Sequence, residues 1–239
     1  MWVHDRDPHL MQSALPGIPR EYPPFSHESI HSIDVMVMAI SDQDSYPFPC
    51  LDSPPEKPLL ILSTGGMHSP LPARDNISCA TLHPAMSIGT TATVLTNRQW
   101  AYCGEDRDRH KAQSFIAALG GSLCVLSPSG MMTYHALCAL LANGTSFLAE
   151  TATSHLAKFS TQTMDQLRPL IAQLVFTSLE ALLQPGGRIF TGPLSRGDSH
   201  LIKKHVRALE AIDPQLASLY RNMHQLGAKL MGVDLDFTD

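Results

Sequence analysis

Apolar positions along this chain change their spacing once. Up to about Pro128 they come as short uninterrupted runs; beyond it they recur at helical intervals. Residues 34–40 (Asp-Val-Met-Val-Met-Ala-Ile), 59–62 and 79–82 are such runs, closed by Ser41-Asp42, Ser63-Thr64-Gly65-Gly66 and His83-Pro84. Short apolar runs without alternation suit parallel strands buried on both faces. Residues 1–4, 100–103 and 123–126 read as further strands. Residues 9–15 form a short helix stopped by Pro16-Gly17, and 108–119 an amphipathic helix closed by Gly120-Gly121. Pro47, Pro49, Pro54, Pro55 and Pro58 forbid a helix over 47–58, where an α/β fold usually has a crossover. After Pro128 four segments have helical spacing: 131–148, 164–183, 200–212 and 214–231. Ala, Leu, Met, Gln and Lys dominate them, as helix propensity prefers. The pattern predicts an α/β domain with a parallel sheet over 1–128, followed by an all-helical domain over 129–239.

Composition narrows the function classes. The 239 residues are 44% hydrophobic, with a formal net charge of -5, and the pI is near 6.1. A mildly acidic chain gives no electrostatic reason to expect nucleic acid as a partner. Its basic residues are scattered, apart from Lys203, Lys204 and Arg207 on one predicted helix. Five cysteines, an odd number with no Cys-x-x-Cys, suggest no disulfide framework and so a reducing compartment. The start has no apolar signal-peptide core, and no run reaches the ~20 apolar residues a bilayer crossing needs. A cytoplasmic protein without membrane contact is expected. Of twelve histidines, only His27 and His31 stand four residues apart, and they flank a loop. No metal is expected.

Several residues carry candidate chemistry. Ser41, Asp42, Ser63 and Gly65 stand at the carboxyl ends of predicted parallel strands, where open α/β sheets bind ligands. Gly65 and Gly66 admit close backbone approach; they serve equally as plain turns. His83 precedes Pro84, which holds it extended at a strand end. There it either binds substrate or caps a loop; His68 is a weaker case. His135 and Asn143, eight residues apart, lie within about a quarter-turn of one helix face at ~3.6 residues per turn. The alternative is that this apolar helix buries both. Asp198 is a candidate N-cap after the Gly192 turn. Arg196, just before it, can hold a carboxylate or phosphate in bidentate fashion, or tie Asp198 or a partner subunit.

Four segments resemble a known group: 33–42, Leu82-His83-Pro84-Ala85-Met86-Ser87, Tyr134-His135-Ala136 with Asn143, and Thr191-Gly192-Pro193-Leu194-Ser195-Arg196-Gly197-Asp198. In order and spacing, over about 3–231, they resemble the superfamily of 6-phosphogluconate dehydrogenase and ketopantoate reductase. The nearer likeness is to its Rossmann-like branch with a C-terminal helical domain of unknown function. The resemblance implies an incomplete Rossmann-like sheet and a homodimer through the helical domain. It implies NAD or NADP as cofactor and a small carbonyl or hydroxyl compound as ligand in an interdomain cleft. His135 would be the general acid or base, with Asn143 orienting the ligand. His83 and Arg196 would contact substrate; Ser41, Asp42, Ser63 and Gly65 would line the cofactor. Asp5 would accept hydrogen bonds from the adenosine ribose and favour NAD, or else lie solvated before a capping Asp7. The departures count too. The family's first strand and its G-x-G-x-x-G turn would precede Met1, and the place of a frequent lysine is held by Met131. An oxidoreductase and a non-catalytic dimeric relative that has lost the cofactor are both compatible with this pattern. With the first strand missing, residues 1–4 are expected to close the gap and pair in parallel with 34–40.

Overall fold

A computed structural model describes residues 31–39, 55–66, 75–88, 95–180, 183 and 190–235. The expected strand over 1–4, and with it the gap closure, lies outside the described residues. So do Asp5, Ser41, Asp42 and His68. The chain divides into two compact units, Met1–Thr145 and Ser146–Asp239.

The first unit is built on a five-stranded sheet: β1 (Val35–Met38), β2 (Leu59–Ser63), β3 (Ile77–Pro84), β4 (Gln99–Cys103) and β5 (Ser122–Val125), in that spatial order. β1, β2 and β3 pair in parallel, and so do β4 and β5. The junction between β3 and β4 is antiparallel, with Pro84 beside Trp100 and Thr81 beside Cys103. The all-parallel expectation is corrected there, and the sheet is mostly parallel. β4 runs back alongside β3, the Ala85 amide donating to the Gln99 carbonyl at 3.0 Å. A buried apolar strand reads alike in both directions, so spacing alone does not reveal its sense.

Both sheet faces are buried, as unalternated apolar runs require. Leu60, Leu62, Leu82, Trp100 and Tyr102 pack on one face with Ala112 and Ile116. The last two come from α1 (Asp106–Ala118), the crossover from β4 to β5. Leu59, Ile61, Ile77 and Cys79 form the other face. α1 ends at Gly120, whose φ of 71° is left-handed and favours glycine.

α2 (Pro128–Ala157) begins at the expected boundary and runs 30 residues, well past the predicted end at 148. The poor helix formers near its end are accommodated by back-bonding: the buried Thr153 hydroxyl donates to the Ala149 carbonyl at 2.8 Å. The second unit continues with α3 (Met164–Glu180), a 3-10 turn (Leu194–Arg196), α4 (Ser199–Glu210) and α5 (Pro214–Met231). Asp198 caps α4 as expected, accepting from the Leu201 amide at 3.0 Å. Asp213 caps α5 in the same way, through Gln215 at 2.8 Å and Leu216 at 3.2 Å, with Pro214 in the first helical position. Leu167, Ile202, Val206, Ala217 and Ala228 are buried in this unit.

Candidate functional site

β1, β2 and β3 run the same way, so their carboxyl ends share one sheet edge, the edge at which open α/β sheets bind ligands. The turn after β2 is clipped to β1 by the Thr64 amide, which donates to the Met38 carbonyl at 3.0 Å. Ser63 is buried beneath it. The residues after β2 then pass against α2. A Cβ built on Gly66 meets the ring of His135 at 2.4 Å (Cδ2) and 2.7 Å (Cγ). Any side chain at position 66 therefore forces the imidazole to shift.

His83, near the end of β3, completes the cluster. Its ring centroid is 5.5 Å from that of His135 and 5.6 Å from that of Tyr134, edge to face in both cases. Its Nδ1 lies 3.3 Å from the Tyr134 hydroxyl, across 51 residues of sequence. Burial pushes the Tyr134 phenol well above its ordinary range, and a hydrogen bond with the Cys138 thiol adds to this. Tyr134 therefore stays protonated at any working pH.

Of the sequence candidates, the fold gathers His83 and His135, with Gly65 immediately before the glycine that touches His135. Asn143 is exposed on α2, ~12 Å farther along the axis at 1.5 Å per residue. Arg196 is exposed in the 3-10 turn of the other unit. Spacing did not assign roles to Gly66 or Tyr134; the available signals were the Gly-Gly pair and the Tyr-His dipeptide.

The thiols add no nucleophile that burial activates. Cys79, Cys103, Cys124 and Cys138 are free thiols. Burial raises Cys79 to about 11 and also raises Cys103, which leaves both as packing residues rather than nucleophiles. Among the described residues, no three His, Cys, Asp or Glu side chains gather as a metal site, and no helix is long and apolar enough to cross a membrane. In the helical unit an apolar hollow of about 540 Å³ opens between Leu148, Leu209, Leu216 and Tyr220.

A dinucleotide needs two things of such a sheet: an open strand-end edge for its nicotinamide half and a backbone anion site for its pyrophosphate. The strand ends here fit the first. For the second, the 239 residues hold no G-x-G-x-x-G sequence. At the strand-end edge, the space beside Gly66 is filled by the His135 ring. These residues do not form a pyrophosphate cradle.

Comparison with known proteins agrees with this architecture. In solved structures the chain is similar to protein TM1727 from Thermotoga maritima, at 17% identity and a TM-score of 0.63, covering 81% of this chain and 76% of that one. It is also similar to BF3122 from Bacteroides fragilis, named a "putative NADP oxidoreductase", at 16% identity and a TM-score of 0.57, over 80% and 74% of the two chains. At such identities the likeness is one of fold, an α/β domain followed by helices. No curated protein matches the chain. The model of the family described as a domain of unknown function, DUF2520, matches residues 100–226, more than half of the 239, from β4 through most of α5. The segment includes the Tyr134-His135 pair and the Gly192–Asp198 turn, and the chain belongs to the DUF2520 family.

Proposed function

We propose that this is an oxidoreductase-type protein whose strand-end site takes a small carbonyl or hydroxyl compound. The observation that carries the reading is the convergence of His83 and His135 at the carboxyl edge of the parallel strands, fixed by the glycine at 66. An imidazole titrates near neutrality and can give or take a proton at an oxygen. His135 is the proton donor or acceptor in this reading, and His83 holds the ligand. Asn143, farther along α2, serves only a ligand extended well beyond the imidazoles. NAD or NADP, when bound, would supply the hydride. Its pyrophosphate would have to be held by residues other than those described.

The test is binding by the whole chain. NAD(H) or NADP(H) at millimolar concentration should raise the melting temperature by linkage, with matching heat in calorimetry. No shift with either cofactor supports the second reading: a non-catalytic relative that keeps the fold. That reading is favoured by the lack of a pyrophosphate cradle among the described residues.

We further propose a homodimer through the helical segments. Of the leucines on the helix after Thr163, Leu167 is buried while Leu170, Leu174 and Leu179 are more than half exposed. On α5, Leu219, Met223, Leu226 and Leu230 are exposed at the 4-3-4 spacing of a helix–helix seam. Apolar faces of this extent are costly in water and mark interaction surfaces.

A further inference from the structure

Tyr134 has no part in the reading above, although its hydroxyl lies within reach of one of the two imidazoles. Three groups meet there: Nδ1 of His83 at 3.3 Å, the Cys138 thiol one helical turn on, and the phenol itself. The phenol has one proton and two acceptors to choose between. An imidazole nitrogen lone pair is a far stronger acceptor than sulfur. The phenol proton therefore goes to Nδ1. A neutral imidazole carries one proton, so with Nδ1 accepting it must sit on Nε2.

We infer that Tyr134 is the positioning residue of this site: by donating to Nδ1 it fixes His83 as a neutral Nε2–H donor. His83 then suits the oxygen of a carbonyl, carboxylate or alcohol and does not serve as a base. Proton exchange is left to His135, whose ring lies 5.5 Å away. The inference rests on the reading of His83 as a ligand contact, and it narrows the ligand to one that offers an oxygen acceptor at His83. The geometry explains why a bulky residue stands beside His135. The edge-to-face packing of Tyr134 on His83, with centroids 5.6 Å apart, sets the ring's plane as well as its proton.

The experiment is ¹⁵N long-range correlation NMR on the full chain labelled in histidine, with the His83 signals identified by their loss in H83Q. The wild type should show His83 in a single neutral form, protonated at Nε2 with Nδ1 hydrogen-bonded. In Y134F, His83 should become a mixture of both tautomers, and its titration midpoint should rise, because a hydrogen bond favouring the neutral form is gone. His135, whose ring also faces His83, is followed in the same spectra, with the exposed His110 and His200 as unmoved references. A wild-type His83 protonated at Nδ1 overturns the inference, and needs no variant to fold. A folded Y134F with unchanged His83 tautomer and midpoint overturns it too. Neither readout depends on NAD(P), so a failure to bind cofactor sinks the oxidoreductase reading and leaves this result standing.

Discussion

The central strands and the helices solve the problem of apolar surface in opposite ways. Leu59, Leu60, Leu62, Leu82 and Tyr102 are all at 0% exposure. In the helical segments, Leu140, Phe147 and Leu226 remain 60–70% exposed. A strand buried on both faces hides every apolar residue it carries, as β2, β3 and β4 do. A helix hides one stripe, and α2, α3 and α5 are apolar on more than one. The difference separates two kinds of leucine: one whose loss is felt as folding energy, the other, under the proposed dimer, as assembly.

The largest effect expected from this contrast is Leu62→Ala. A fully buried leucine replaced by alanine costs about 2–5 kcal/mol, and urea unfolding should show a midpoint lowered accordingly at unchanged slope. A cost below about 1 kcal/mol would mean that the sheet core is looser than its burial indicates. Gly66→Ala comes next. Its Cβ has no room beside His135, and overpacking typically costs about 1–3 kcal/mol. The His135 ring signals should shift in the same variant; a stable protein with unmoved His135 signals would break the site as drawn. Leu174→Asp sharpens the other side of the comparison. Light scattering at micromolar concentration should give a dimer for the wild type and a monomer for the variant, whose helix content by circular dichroism stays the same. A wild-type monomer removes the dimer proposal.

The smallest effect concerns pH. The Leu216 amide, then the Gln215 amide and His155, hold the Asp213 carboxyl below its ordinary value. His155 Nε2 is 3.4 Å from the carboxylate. Because the folded value is depressed, the contribution is full above about pH 4, the unfolded range, and fades as pH falls through the folded value. Asp213→Asn keeps an oxygen for the cap and removes the charge. Its melting temperature should lie slightly below wild type at pH 7 and converge with it in acid; parallel curves would remove His155 and the charge from the account.

The strands were legible where physics leaves a one-dimensional trace. Residues 59–62, 79–82 and 100–103 are short apolar runs bounded by turn residues, which favours buried strands over a buried helix, and each lies in a strand. Asp198 was legible as a cap because its role is local. The direction of β4 was not, since burial pattern carries no arrow. The length of α2 was not, because Thr153 disguises its preference by bonding its own helix. The site was half legible. His83 and His135 stood out by residue type and by position at element ends. That Gly66, rather than Gly65, touches His135 depends on a turn meeting a helix some seventy residues later, and no local spacing encodes such an encounter.

The contact at Gly66 also constrains how this sequence can vary over time. Gly66 lacks the left-handed backbone that would demand glycine by itself. It is held to glycine only by the imidazole opposite. A lineage that replaces His135 with alanine or serine frees position 66 to take any small side chain, and once it has done so the histidine cannot return without reversing the first change. The two positions should therefore be inherited as a pair. In any sequence of this kind, a residue other than glycine at 66 signals that the imidazole at 135, and whatever it does, has already been given up.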